Sequence, residues 1–199
     1  MADARAEFLE VVLSNSHNRA ILENAGVLGL SDWWLTGGAV FQTVWNVLEG
    51  RPVDSGILDY DLFYFHAEQL TVEAEASVNR AAAALFQERG IVVEARNEAR
   101  VHLWYEKEFG VPGQQFESTR DAIDHFAAVT CCFAVTRRDD GELKVYAPHG
   151  FDDLLQRRVR PNPVLVPRDV YETKARRWST EWPSLTVEAW PTAPHLPGE

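Results

Sequence analysis

Cysteine is scarce in this sequence of 199 residues, which contains only Cys131 and Cys132. Because adjacent cysteines make a strained disulfide and a poor zinc site, we predict that both are reduced, buried and apolar in character. Reduced cysteines fit a reducing compartment, so a cytoplasmic location is predicted. The first residues lack the charged-then-apolar pattern of a signal peptide, and no apolar run approaches the roughly 18 residues of a membrane span. We therefore expect no membrane partner.

Basic residues are also few, with 19 Lys and Arg against 30 Asp and Glu and a net charge of −11. An acidic chain is poorly suited to coat nucleic acid, so no long nucleic acid is expected as a partner. The Gly-x-Ser-x-Gly, His-Glu-x-x-His and Walker A motifs are missing, which leaves hydrolase, zinc-protease and P-loop assignments without support. The composition, 46% hydrophobic and 25% charged, is that of a folded globular protein.

The hydrophobic pattern predicts one mixed α/β domain over residues 1–190 and a flexible, Pro-rich tail at 191–199. Helices are predicted at 3–24 with a break near residues 14–16, at 39–49, 68–89 and 97–109, from an N-cap at Thr119 to about 126, and at 169–179. Strands are predicted at 33–36, 57–65, 91–96, 128–137 and 142–147, the last two joined by a hairpin turn.

Two aspartates mark the strand predicted at 57–65. Because side chains alternate along a strand, Asp59 and Asp61 should share one face, with Cα atoms roughly 6.5–7 Å apart. Neighbouring carboxylates on an otherwise apolar strand repel each other, so a cation or strong donors should lie between them. Oxygen ligands at that separation suit Mg²⁺ or Mn²⁺. An isolated Asp-x-Asp pattern is short and common. It is then more often explained by one Asp that caps a neighbouring loop and another that is solvated at the end of the strand.

A glycine pair precedes this strand. Gly37 and Gly38 end a short strand and open a helix, where they let backbone N–H groups approach a phosphate at the positive end of that helix. Together with Asp59 and Asp61, the pair predicts one site that holds phosphates at the helix and metal ions at the carboxylates. Gln42, one turn into the helix, either reaches a bound nucleotide or packs on the helix surface.

This arrangement resembles the nucleotidyltransferase superfamily with the DNA polymerase β-like fold. Its hallmark is a Gly-Gly or Gly-Ser turn, a helix, an Asp-x-Asp/Glu strand and a third carboxylate on a later strand. The sequence is further similar to one bacterial nucleotidyltransferase family of formerly unknown function, over about residues 33–185. The similar blocks are residues 37–46, 56–65, 99–105, 147–154 and 159–163. The resemblance implies an α/β (α+β) fold with a mixed twisted sheet flanked by helices.

The resemblance also implies an activity, the metal-dependent transfer of an NMP from an NTP to an unidentified acceptor with release of pyrophosphate. Gly37 and Gly38 would bind the phosphates, and Asp59 and Asp61 would hold Mg²⁺ or Mn²⁺. Glu94 is our choice for the third carboxylate, because it follows the long helix on a strand face that it shares with Arg96. An exposed Glu94 paired with Arg96 is the equally weighted alternative.

Several features stay open at this level. The acceptor is a small molecule, a protein or a short RNA, and a partner or a homodimer would supply what so small a chain lacks. A nucleotide-binding or regulatory module without transfer is the alternative function. Two basic clusters either hold a triphosphate or form solvated faces, at residues 157–160 and 174–177. His66 stands where the similar family has Asp, and we interpret His66 as structural.

Overall fold

A computed structural model describes residues 2–192, so residues 193–199 of the predicted flexible tail lie outside the described part. The helices are α1 (Ala2–Ser14), α2 (Ser16–Asn24), α3 (Gly38–Leu48), α4 (Val72–Phe86), α5 (Tyr105–Phe109), α6 (Thr119–Asp124), α7 (Asp152–Leu155) and α8 (Arg168–Glu181). The strands are β1 (Trp34–Thr36), β2 (Tyr60–Tyr64), β3 (Val93–Asn97), β4 (Ala134–Arg137), β5 (Leu143–Tyr146), β6 (Arg158–Val159) and β7 (Thr186–Val187). Short 3-10 helices lie at Ala25–Leu28, Gln87–Arg89, Glu98–Leu103 and Val129–Cys131.

The main sheet has five strands in the order β3-β2-β1-β4-β5. The central strand β1 is antiparallel to both of its neighbours, whereas β2 and β3 are parallel and joined through α4. β6 and β7 form a separate two-stranded parallel sheet. The predicted mixed sheet flanked by helices is therefore confirmed.

The two faces of β2 serve different purposes. Tyr60, Leu62 and Tyr64 are buried in the main core, which also holds residues of α3 and α4. Asp61 and Phe63 alternate with them and are only half-buried on the opposite face. The strand thus separates a packed core from the face that carries the carboxylate.

Buried polar contacts fix the start of α3 against the N-terminal helices. The side-chain amide of Asn18 donates to the Ala39 carbonyl at 2.7 Å, and that of Asn15 donates to the Thr43 hydroxyl at 3.1 Å. Thr36, the last residue of β1, donates its hydroxyl to the Phe133 carbonyl at 2.7 Å. Since all these polar groups are buried, their loss would leave unsatisfied atoms in the core. The turn between β1 and α3 is therefore held on both sides.

The structure differs from the sequence predictions mainly in element length. β2 begins at Tyr60, so Asp59 precedes the strand instead of lying inside it. The helix predicted at 97–109 is a 3-10 helix followed by the short α5. Ser118 caps α6 by accepting from the Asp121 N–H, so the predicted cap at Thr119 is wrong by one residue. The break between α1 and α2 lies at the predicted place, because Asn15 caps α2.

Two of the exclusions drawn from the sequence concern cysteines and membranes. Cys131 and Cys132 are free thiols, and both are buried, as predicted. None of the helices in residues 2–192 has the length and hydrophobicity that a bilayer crossing needs.

Candidate active site

A cavity of about 400 Å³ lies against the face of the sheet that Asp61 and Phe63 share. Its walls come from β2, β3, α3 and α8, and from the segment that contains α5 and α6. Every site residue predicted from the sequence lines this cavity: Gly37, Gly38, Gln42, Asp59, Asp61 and Glu94. The sequence predictions therefore converge on one place in the fold.

The glycine turn is in direct contact with the carboxylate of Asp61. Gly37 has φ +65°, a conformation that residues with a side chain rarely adopt. A Cβ atom on Gly37 would also collide with Asp61 Oδ2. The register explains the contact, because Thr36 of β1 pairs with Asp61 of β2. Glycine is thus required here for both backbone conformation and close approach.

The first turn of α3 lines the cavity and lacks a side-chain cap. Gly37 is the N-cap residue and no side chain caps this end of the helix. The Gln42 side chain folds back over Gly38, so that a Cβ on Gly38 would lie 2.8 Å from Gln42 Nε2. Uncapped N–H groups together with the helix dipole favour an anion at this position.

Asp61 and Glu94 lie on adjacent strands, with Asp59 close by. Asp61 pairs in register with Glu94 across the parallel β2–β3 ladder, and Asp59 lies one residue before β2. Burial, and next the negative charge of Asp59, raise the pKa of Asp61 to about 7, although Arg96 and Lys174 counteract this. The ionised form of Asp61 is therefore costly without a cation beside it.

The donor set fits a divalent cation in part. Within residues 2–192, no group of three or more His, Cys, Asp or Glu side chains is arranged to hold a metal ion. Glu94 instead accepts a hydrogen bond from Arg96 at 2.6 Å, as the alternative interpretation expected. Because both side chains are about 40% exposed, this ion pair contributes little and is easily exchanged. Asp59 and Asp61 are suitable ligands as they stand, and Glu94 would join them on leaving Arg96.

The two basic clusters have different roles. Lys174 and Arg177 of α8 line the cavity and form no ion pair in the part of the chain that the structure describes. Arg158 and Arg160 instead bind the nearly buried Asp153, with Arg160 at 2.9 Å. Of the two clusters, the one on α8 therefore offers free positive charge to an anion in the cavity.

The cavity wall holds four buried polar atoms, of which one belongs to the predicted Gln42 and three belong to residues that the sequence analysis missed. Each lacks a hydrogen-bond partner among the described residues; they are Gln42 Oε1, Glu98 Oε1, Tyr105 OH and Trp178 Nε1. An unsatisfied buried polar group costs roughly 1–3 kcal/mol, so a polar ligand or water is expected to meet these atoms. No local pattern in the sequence marks Glu98, Tyr105 or Trp178, because their burial depends on how distant segments pack.

Other polar residues near the site are structural. Asn97 donates its amide to the carbonyls of His66 and Gln69, each at 3.0 Å, and accepts from the His66 N–H. His66 does not line the cavity, as its structural interpretation requires. Arg100 pairs with Glu75 of α4 and donates to the Leu70 carbonyl at 2.9 Å.

The site combines a glycine turn that opens α3 with Asp61 of β2 and Asp59 just before that strand, which is the combination that the resemblance to nucleotidyltransferases implies. The model of a nucleotidyltransferase family matches residues 23–187, and the chain belongs to this family. A solved NMR structure described as a CCA-adding enzyme head domain has the same fold, with a TM-score of 0.75 and 22% identity. That match covers 93% of this chain and 96% of the other. No curated protein matches the sequence.

Proposed function

We propose that this protein transfers an NMP from an NTP to an acceptor in a metal-dependent reaction that releases pyrophosphate. The observation that carries the proposal is the contact between Gly37 and Asp61, which joins an uncapped helix N-terminus to a carboxylate on the cavity wall. An anion and a cation are thereby favoured side by side, as a metal–triphosphate complex requires.

The phosphates have a binding surface on two elements. Backbone N–H groups at Gly37 and Gly38 would donate to the β- and γ-phosphates, since no side chain caps this end of the helix. Lys174 and Arg177 would neutralise the same groups from α8. The negative charge that develops on the leaving pyrophosphate is therefore stabilised by groups already in position.

The carboxylates would handle the cation and the proton. Asp59 and Asp61 would hold Mg²⁺ or Mn²⁺, which neutralises charge at the reacting phosphorus. Glu94, released from Arg96, accepts the proton of the acceptor hydroxyl. The hydroxyl oxygen then forms a bond to the α-phosphorus as the bond to the pyrophosphate oxygen breaks.

The test is transfer of label from α-³²P-labelled ATP, GTP, CTP or UTP with Mg²⁺ or Mn²⁺. Small-molecule, protein and short-RNA fractions of a cell extract serve as acceptors, and pyrophosphate release is followed in parallel. Asp61→Asn and Asp59→Asn should each abolish transfer. Asp54→Asn is the matched control, because Asp54 is an exposed neighbour that does not line the cavity. Undiminished transfer in either cavity variant would contradict the proposal.

The stability of Asp61→Asn separates lost chemistry from lost folding. The folded protein binds the Asp61 proton more tightly than the unfolded chain, so folded wild type loses stability as pH rises from about 4 to 7. Asparagine does not ionise, so the variant should gain relative stability over this range, by up to about 4 kcal/mol in a metal-free buffer. Urea unfolding with a chelator at pH 5 and pH 8 measures the difference.

The regulatory-module alternative rests on the pairing of Glu94 with Arg96, which occupies the carboxylate chosen to complete the metal site. It predicts stabilisation by nucleotide and metal without pyrophosphate release. The transfer experiment distinguishes the two functions directly, because a module would bind the NTP in wild type and leave it intact with every acceptor fraction.

A further inference from the structure

The cavity has a second region that the phosphate chemistry does not use. We call it the ring lobe, and its aromatic lining is Phe63, Trp104, Tyr105, Phe109, Phe116 and Phe126. Four of these rings are only partly buried, although they belong to side chains that normally fill a core. A region of rings that faces a cavity is suited to a flat ligand.

The ring lobe begins next to the carboxylates. Asp61 and Phe63 point to the same face of β2 two residues apart, which is roughly 6.4–6.8 Å. The glycine turn lies near the start of β2, because Thr36 pairs with Asp61, and Phe63 lies further along the strand. On β3, Arg96 pairs with Phe63 and holds its guanidinium 5.9 Å from the Trp104 ring centre. The cavity therefore runs from phosphate-binding groups, past carboxylates, to rings.

Polar atoms are buried among these rings. Tyr105 and Glu98 are 5% and 4% exposed, and both line the cavity. The Tyr105 hydroxyl and Glu98 Oε1 have no hydrogen-bond partner within residues 2–192. A purely apolar occupant would leave both atoms unsatisfied at a cost of roughly 1–3 kcal/mol each. The expected occupant thus combines a flat apolar face with a hydrogen-bonding edge.

We propose that the ring lobe binds the nucleobase of the NTP whose phosphates lie at Gly37 and α8, an inference that rests on the proposed function. A base stacks on aromatic rings through its faces and offers donors and acceptors at its edge to Tyr105 and Glu98. The ribose connects it to the α-phosphate over a short span, as the spacing of Asp61 and Phe63 requires. An apolar acceptor would lack the hydrogen-bonding edge.

The experiment compares inorganic triphosphate, which has no base, with ATP, GTP, CTP and UTP by titration calorimetry in Mg²⁺. In wild type the preferred NTP should bind at least about 10-fold tighter than triphosphate. Phe63→Leu should weaken binding of that NTP by roughly 5- to 100-fold, while its affinity for triphosphate stays within about 2-fold of the wild-type value. Phe151→Leu is the matched control, because Phe151 packs in the main core, away from the cavity, and both affinities should stay unchanged.

Equal affinity for NTP and triphosphate in wild type would overturn the ring-lobe assignment and leave the proposed function standing. The same holds if Phe63→Leu weakens both ligands alike or neither. If neither NTP nor triphosphate binds wild type, the proposed function fails and takes the ring-lobe assignment with it. These outcomes separate the two proposals.

A second variant, which should fold like wild type, distinguishes a loss of base contacts from a loss of folding. Tyr105→Phe removes only the unpartnered hydroxyl, so the free energy of unfolding should not fall. The affinity ratios among the four NTPs should change by roughly 3- to 10-fold, because the base edge loses one partner. Unchanged ratios would overturn the role of Tyr105 as a group that contacts the base.

Discussion

At the scale of single residues, the site depends on one contact between a main chain and a carboxylate. Asp61 lies so close to Gly37 that no side chain fits between them, and Gly37 needs a positive φ as well. The two requirements have separate consequences for binding and for folding. A second glycine in the same chain allows them to be measured separately.

Gly37→Ala should abolish NMP transfer and lower the stability of the fold. The backbone conformation of Gly37, with φ 65° and ψ −151°, is open almost only to glycine and costs alanine about 1–3 kcal/mol. The collision with Asp61 Oδ2 adds to this cost and displaces the carboxylate. Gly50→Ala is the control, since Gly50 has φ +66° but nothing within 4 Å of an added Cβ. Transfer rates and urea unfolding of both variants provide the comparison. Similar behaviour of the two variants would contradict the importance of the contact.

The residue scale is also where the sequence is most informative. Gly37, Gly38, Asp59 and Asp61 belong to a local strand–turn–helix–strand pattern, so nearby residues place them together, and all four line one cavity. Glu98 was missed because its burial is set by packing of a 3-10 helix that the pattern describes only as helical. A buried polar atom leaves no trace in hydrophobic periodicity.

At the scale of elements, α8 is the helix that supplies positive charge to the cavity. Trp178 of α8 packs against Phe41 of α3 with ring centres 5.5 Å apart. This contact turns Lys174 and Arg177 toward the cavity, whereas Arg176 does not line it. The sequence shows the basic cluster but not which side of α8 faces inward, because that depends on a contact between distant aromatic residues.

Lys174→Ala and Arg177→Ala should each weaken binding of Mg²⁺–NTP and of inorganic triphosphate by roughly 3- to 10-fold at low salt. The loss should shrink as ionic strength rises, because exposed charges are screened. Arg176→Ala is the control, an exposed neighbour on the same helix that does not line the cavity. Titration calorimetry at 20 mM and 300 mM NaCl measures the effect. An equal loss of affinity in Arg176→Ala would show that the effect comes from the net charge of the protein and not from the positions of Lys174 and Arg177.

The boundaries of the strands show where element-scale prediction ends. The aromatic-rich run at 57–65 predicts a longer strand than Tyr60–Tyr64. The residues on either side of β2 also favour strand structure, but they have no partner strand to pair with. β1 has only three residues with which to pair β2, so the ladder is short. Strand length is set by the partner strand and therefore cannot be determined from one segment alone.

At the scale of the whole molecule, the C-terminal part of the chain is anchored to the helix that carries the glycine turn. The Trp182 indole donates to Asn46 Oδ1 at 2.7 Å, and Asn46 also donates to the carbonyls of Val53 and Ser55. Arg51 adds an ion pair to Glu181. These contacts hold α8 beside α3 and so maintain the cavity between them.

Trp182→Phe should destabilise the fold by about 1–3 kcal/mol more than ring size alone explains, because Asn46 Oδ1 loses its buried donor. Trp45→Phe provides the comparison. Trp45 is also fully buried, but its indole N–H has no partner among the described residues. Urea unfolding of both variants isolates the hydrogen bond. Equal losses would show that it contributes nothing.

The order of the parts along the chain has a consequence for biosynthesis. Gly37, Asp61 and Glu94 leave the ribosome well before α8, so the acidic side of the cavity is synthesised before the basic side. The central strand β1 also lacks its second neighbour in the sheet until β4 has been synthesised. A nascent chain that ends before α8 thus carries carboxylates without the cations that would balance a triphosphate. Under the proposed function, binding of the triphosphate at full strength therefore requires α8, which is among the last elements of the polypeptide.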